Sequence, residues 1–406
     1  MIQIIIFVIL LISIIGTFIT ELIIGILWII KIRKKVPLNN IILKLKRNTI
    51  VLGSLFVFML ILITFSYFSA STPSIVDKNG KTVPESIAEL RKVELNGRQE
   101  WISIRGENRN NPVLLFLAGG PGGTQMAAVR YNLQKLEKDF VVVNWDQPGS
   151  GKSYYAANIK NLNVNNYIQD GYALTKYLCK TFKKDKIYLV GESWGSALGI
   201  FLAEKHPEKY YSFIGTGQMV DFSKTEELDY KKAIKIAEIK NNTNKISRLR
   251  SNGYPPYYGT DVTWKGAEYL NYLNSYMEKD SKIYNSRFNT WRDIFSPEYD
   301  LIDKINFMWG LINTFNHVYP QLYNIDLRKD YAKVKIPVYF FIGKRDINAP
   351  LSLIEDYYNV LEAPHKEIVW FEHSGHSPWI NESDKFVKQV NKILISSKTR
   401  MGSVSN

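Results

Sequence analysis

The chain has 406 residues, 46% hydrophobic and 22% charged, a balance that excludes a disordered, collagenous or disulfide-scaffold protein and allows a large packed core. Its 52 Lys and Arg against 38 Asp and Glu give +14, of which residues 1–71 supply +6; the other 335 carry +8 with no basic run interleaved with aromatics, so no nucleic-acid partner is expected. A single cysteine, Cys179, forbids an intrachain disulfide and any cysteine-based zinc or iron–sulfur site.

From Ile2 to Ile30 the sequence is almost wholly apolar, interrupted by Gln3 and Glu21, and Ile50 to Ala70 is apolar without a charge. Each run exceeds the roughly 20 residues that a spanning helix needs. Lys31, Arg33, Lys34, Lys35, Lys44, Lys46 and Arg47 lie between them with no acid, and short basic loops stay in the cytoplasm. The reading is a multi-pass cell-membrane hairpin, with the lipid bilayer as partner and all that follows Ser71 on the outer face. The positive charge follows the first apolar run instead of preceding it, which favours an anchor over a cleavable signal. Cleavage near Ser69-Ala70-Ser71 stays open, and Glu21 reads as the edge of a span.

After a linker with Pro73, Gly80 and Pro84, alternating runs at Ala88–Leu95 and Arg98–Ile104 flank Asn96-Gly97, a hairpin signal. Short apolar strands then alternate with amphipathic stretches: Val113–Leu117, Phe140–Trp145, Ile187–Val190, Tyr211–Gly215, Val338–Ile342 and Ile368–Phe371. Continuous apolar strands in strand–helix alternation predict an α/β sandwich with a mostly parallel sheet. The interval from Gln218 to Asp330 breaks that rhythm and is too long for a loop, so it reads as an inserted helical cap. The expected organisation is an anchor at 1–71, a core at 72–217 and 331–397, a cap at 218–330, and a tail at 398–406.

Gly191-Glu192-Ser193-Trp194-Gly195 falls between a strand and a helical stretch, Ser196–Glu204. That setting puts Ser193 on a sharp turn with its hydroxyl presented as a nucleophile, and the helix behind it favours developing negative charge. Of the five histidines, His376 lies just past the last strand and is the expected base, with His373 as runner-up; Asp346 directly follows Val338–Ile342. The chain order Ser193, Asp346, His376 suits an acid that holds the imidazole and stabilises the imidazolium. The backbone N–H groups of Trp194 and of Gly120, in the glycine-rich loop after Val113–Ala118, are the expected oxyanion donors. Gly149-Ser150-Gly151-Lys152-Ser153 lacks the glycine a phosphate loop needs at Asp146 and reads as a turn.

Ala118-Gly119-Gly120-Pro121-Gly122-Gly123, Asp146-Gln147-Pro148-Gly149-Ser150-Gly151-Lys152-Ser153 and Gly191-Glu192-Ser193-Trp194-Gly195 together resemble the proline iminopeptidase family of α/β-hydrolases over roughly Val83 to Val390. The resemblance implies an α/β-hydrolase sandwich, a mainly helical cap, and serine hydrolysis that releases N-terminal residues, often proline, from short peptides without metal or cofactor. Ala118 stands where members usually have His, and Pro148 where they have Arg, which bears on the preference for proline. Family members place acids early in the cap to receive the substrate ammonium. Here that stretch offers Glu226 and Glu227, with Glu227 preferred, in a cap rich in aromatics. An esterase or lipase would use the same triad, and a membrane-tethered binding protein without turnover is the reading from another class.

Overall fold

The computed structural model describes residues 2–285 and 288–404 and divides into two compact units, residues 1–71 with 299–304, and the remainder. In the first unit, α1 (Ile2–Arg33) and α2 (Asn39–Ser69) are long and apolar enough to cross a membrane by length and composition. Polar side chains join them at the end away from the connecting loop and again partway along. Gln3 donates to Ser69 at 3.3 Å, and Thr49 donates to Glu21 at 2.6 Å, with Asn48 also reaching the Glu21 carboxylate. One expectation is corrected here. The second helix starts at Asn39 rather than near Ile50, so Lys44, Lys46 and Arg47 lie on its opening turns and the connecting loop is only residues 34–38. Leu, Lys and Arg are strong helix formers, and nothing after Pro37 interrupts them.

The second unit opens with a hairpin, β1 (Ile87–Leu95) and β2 (Arg98–Gly106), whose turn residues Asn96 and Gly97 both have positive φ, at 49° and 82°. That conformation matches the twist of the strands and suits Asn-Gly. There follow β3 (Val113–Leu117), α3 (Met126–Leu133), β4 (Val141–Asp146), α4 (Val164–Phe182), β5 (Ile187–Glu192), α5 (Trp194–Lys205) and β6 (Tyr210–Thr216). Seven α-helices come next among the described residues: α6 (Phe222–Ile239), α7 (Thr243–Ser251), α8 (Val262–Met277), α9 (Thr290–Ile294), α10 (Leu301–Trp309), whose first residues are counted with the first unit, α11 (Phe315–Val318) and α12 (Leu327–Asp330). The sheet resumes with β7 (Val338–Gly343), α13 (Leu351–Val360) and β8 (Lys366–Phe371), and α14 (Pro378–Asn381) and α15 (Ser383–Val404) complete the described chain.

The eight strands run in the order β1-β2-β4-β3-β5-β6-β7-β8; β1, β2 and β4 pair antiparallel, and all pairs from β4–β3 to β7–β8 are parallel. Every residue of β3, β4, β5 and β7 is buried, as expected for strands covered on both faces. One face packs the apolar residues of α4, α5 and α13, and the other those of α3 and α15. A sheet built this way presents the loops after β3, β5, β6, β7 and β8 along its carboxyl edge, where an open α/β fold places its chemistry.

Candidate active site

Ser193 joins β5 to α5 with φ 53° and ψ −121°, a conformation costly for a non-glycine residue and kept where the surroundings enforce it. Two packing facts do so. A Cβ on Gly191 would stand 2.2 Å from the Gly195 carbonyl oxygen, and one on Gly195 would stand 2.2 Å from that of Leu117. Both glycines are needed for the turn to close against itself and against β3. The Ser193 N–H donates to the Thr216 carbonyl at 3.0 Å, and the Ser196 hydroxyl donates to the Ser193 carbonyl at 2.5 Å, fixing the turn from both sides. Trp194 is the first residue of α5, so its N–H belongs to the donors that the helix leaves unsatisfied.

The structure brings Asp346 and His376 together. Asp346 Oδ2 lies 2.9 Å from His376 Nδ1, and its Oδ1 accepts from the backbone N–H groups of Asn348 and Ala349 at 2.8 and 3.1 Å. The carboxylate is therefore held by its own loop while it holds the ring. The ring also lies against Gly217, where a Cβ would fall 2.7 Å from His376 Cε1. This glycine, just past β6, was not singled out from the sequence. His373 lies elsewhere, stacked on Tyr284 with ring centroids 3.9 Å apart and Nδ1 3.0 Å from the Lys282 carbonyl oxygen.

Ser193, His376 and Gly120 line one cavity of about 260 Å³, together with Gln125, Glu192 and Asp293. The glycine-rich loop abuts the nucleophile turn, since a Cβ on Gly119 would be 3.3 Å from Ser193 Cβ. The second motif clamps this loop. Asp146 accepts from the Lys152 N–H at 2.8 Å and from the Thr124 hydroxyl, while Gln147 donates to the Ala118 carbonyl at 3.2 Å and accepts from the Trp194 indole at 2.9 Å. Gly149-Ser150-Gly151 is thus the turn that lets Asp146 reach back.

Glu192 is a buried neighbour of Ser193 that the motif reading missed. It is buried and accepts from Ser377 Oγ at 2.5 Å, from Trp379 Nε1 at 3.0 Å and from the Gln125 side-chain amide. One carboxylate beside Ser193 ties the glycine-rich loop to the segment that follows His376. Only its position before the serine could have drawn attention to it.

The two cap acids separate. Glu227 lies on the outer side of α6 and pairs with Lys224 at 2.8 Å and with Lys231, and these lysines hold its carboxylate down at about 2. Glu227, the preferred acid, is thus already matched by two lysines. Glu226 points inward and accepts from the Tyr319 hydroxyl at 2.9 Å and from the Tyr269 hydroxyl. Burial pushes it up to about 7, although both tyrosines pull the other way. One turn later, Asp229 is 1% exposed, and among the described residues neither of its carboxylate oxygens has a hydrogen-bond partner. Burial, then the Glu226 and Asp346 charges, raise it well above the usual carboxylate range. Asp293, in the wall of the Ser193 cavity, also has one buried oxygen without a partner. Among the described residues no cluster of three or more His, Cys, Asp or Glu could hold a metal ion.

Residues 112–240 match a family model described as the alpha/beta hydrolase fold. Over 318 residues the chain is 31% identical to the probable aminopeptidase YbaC of Bacillus subtilis (strain 168), covering 76% of this chain and 98% of that protein. It is 24% identical over 306 residues to the proline iminopeptidase of Heyndrickxia coagulans, covering 75% of this chain and 98% of the relative. Among solved structures, the proline iminopeptidase of Mycobacterium smegmatis superposes with a TM-score of 0.55 at 17% identity, covering 77% of this chain and 99% of the other. The chain belongs to the proline iminopeptidase-like aminopeptidases of the α/β-hydrolase fold.

Proposed function

We propose that the chain is a membrane-anchored serine aminopeptidase whose catalytic unit faces outward and removes an N-terminal proline or other small apolar residue from short peptides. Ser193 Oγ attacks the carbonyl carbon while His376 takes the hydroxyl proton, and the oxyanion settles between the Gly120 and Trp194 N–H groups. His376 then gives its proton to the departing nitrogen as the C–N bond breaks, leaving an ester on Ser193. Water, activated by the same imidazole, hydrolyses that ester and restores the serine. Asp346 holds Nδ1–H so that Nε2 faces the serine. The observation that carries this reading is the 2.9 Å contact between Asp346 and His376 in a site where His376 and Ser193 line the same cavity.

The substrate's free ammonium is received in this reading by the inward carboxylates Glu226 and Asp229. A buried carboxylate with no partner is unfavourable by itself and becomes favourable beside a cation. Orientation rests on α1 and α2 with the basic residues between and beside them.

The test is hydrolysis of Pro-, Ala- and Leu-anilides and a short-chain aryl ester by the full-length protein, with N-acetylated anilides as controls. Anilides turned over and acetylated anilides refused is the expected result; turnover of the ester alone would make this an esterase with the same triad. Fluorophosphonate labelling that disappears in Ser193→Ala identifies the nucleophile, and absence of labelling would favour a binding protein. Protease added to intact cells should remove the bulk of the chain, and protection of that bulk would reverse the orientation.

A further inference from the structure

The segments leading into β4, β5 and β6 lie along the amino edge of the sheet, opposite the edge that carries Ser193. There the end of α4 and the turn before β6 border an open groove of about 470 Å³ lined by Lys176, Lys180, Lys183, Lys184 and Lys209, with Asp185 as the one acid among its lining residues. Lys176, Lys180 and Lys183 are exposed; Lys184 donates to the Asn110 carbonyl at 2.8 Å, and the Lys176 ammonium lies 4.5 Å from the centroid of the Tyr172 ring. Among the described residues none of the five ammoniums pairs with a carboxylate. The C-terminus of α4 accounts for part of this charge, because a helix end carries about half a unit of negative charge, which one lysine satisfies. The remaining cations repel one another, and an anion in the groove would relieve them.

The same edge is where the chain enters this unit. Thr72 accepts from Arg105 Nη1 at 2.7 Å, and Arg105 is paired with Val142 at the start of β4. Only Ala70 and Ser71 separate Thr72 from the end of α2 at Ser69, about 10 Å of chain at full extension. A basic groove on an edge joined to a membrane anchor by so short a tether meets lipid headgroups at high effective concentration. Anionic headgroups are also its charge complement, since they attract lysines held near a membrane surface. We infer that this groove docks on the anionic phospholipid headgroups of the leaflet from which the catalytic unit emerges, and so turns the opposite edge, with Ser193 and His376, toward soluble peptides. The inference rests on the membrane-anchored reading and adds the surface that the catalytic unit lays on the bilayer.

The experiment places full-length protein in lipid nanodiscs of phosphatidylcholine alone, or with roughly one third phosphatidylglycerol, treats them with an amine-acylating reagent and reads the modified lysines by peptide mass spectrometry. In the anionic discs acylation of the five groove lysines is expected to slow by at least about fivefold relative to the neutral discs, while Lys232 and Lys235, exposed on α6, change by less than about twofold. About 0.5 M NaCl should abolish the difference, because it shortens the screening length to a few ångströms. Lys180→Glu combined with Lys183→Glu, both at exposed positions, should reduce the protection of Lys176, Lys184 and Lys209 to less than about twofold, with fluorophosphonate labelling of Ser193 reporting that the variant is folded. Equal acylation of the groove lysines in both discs would overturn the docking. So would slowing of Lys232 and Lys235 by the same factor, which is the general effect of a negative surface, or protection in neutral discs on adding inorganic phosphate, which would make the groove a site for a soluble anion. Protein that does not stay with the discs refutes the anchor itself, whereas disc-bound protein without protection refutes the docking alone.

Discussion

Replacing Glu226 by Gln tests whether the cap interior holds a titrating carboxyl. Burial among Tyr269, Tyr319 and the rest of the cap pushes this group from 4.5 to about 7. Between those values the folded protein keeps the proton and the unfolded chain releases it. The associated stability is therefore fully present below about pH 4.5 and is lost as the pH rises through about 7. At roughly 1.36 kcal/mol per pH unit the loss totals about 3 kcal/mol. Gln cannot titrate and resembles the protonated acid in shape and charge. Urea unfolding of the full-length protein in detergent, followed by tryptophan fluorescence from pH 4 to 8, should show wild type weakening relative to Glu226→Gln by about 3 kcal/mol over that range. Glu100 and Glu137, displaced in the same direction without any contribution from Glu226, remain in both proteins and cancel in the comparison, whereas Asp229 loses the Glu226 charge that helps to raise it and adds to the difference. Parallel stability curves would refute the reasoning, because a carboxyl that titrates alike in folded and unfolded chains cannot be the buried group described.

Asp346→Asn should leave KM nearly unchanged and lower kcat by about 10³- to 10⁴-fold, because an amide in that place no longer secures the tautomer that presents Nε2 to the serine; steady-state kinetics on the best anilide measures it. Glu192→Gln replaces an acceptor of three hydrogen bonds with a group that must present an NH2 to one of Gln125, Ser377 or Trp379. The loss of about 1.5–3 kcal/mol should appear as a fall in kcat and slower fluorophosphonate labelling with KM little changed, and a fall in thermal stability alone would reduce Glu192 to packing. Glu227→Ala removes only surface ion pairs and should leave thermal stability little changed and kcat/KM within about twofold; a large loss on free-amine substrates would return the ammonium site to Glu227.

The sheet was legible in the sequence because buried parallel strands are written as unbroken apolar runs, as at Val113–Leu117 and Val338–Ile342. The nucleophile turn was legible because the steric need for Gly191 and Gly195 is local. The inward acid of the cap was legible in principle. Phe222, Tyr230, Ala233 and Ile236 share the buried side of α6, and a helical period of 3.6 residues sets Glu226 and Asp229 on that side with them. That phase separates the adjacent acids, setting Glu227 on the other side of the helix with Lys224 and Lys231. The start of α2 was missed for a different reason: an apolar window stops at the first lysine, whereas the helix continues until something breaks it. Gly217 beside His376 and Glu192 between two loops are encounters between distant segments, and no local pattern announces them.

The cost of the cap carboxylates is itself an argument about function. Glu226 and Asp229 sit one helical turn apart and buried, each disfavouring ionisation of the other. Two apolar residues of similar volume would pack there at lower cost. Asp229 gains nothing visible in return, since neither oxygen has a partner among the described residues and a third carboxylate, Asp346, also acts on it. A substrate ammonium reverses that balance, because it favours ionisation of both acids and turns their mutual repulsion into attraction for one cation. An ester carries no such group and would leave the acids uncompensated. The same arrangement is wasteful for an esterase and economical for an enzyme that must distinguish a free amino terminus from a blocked one.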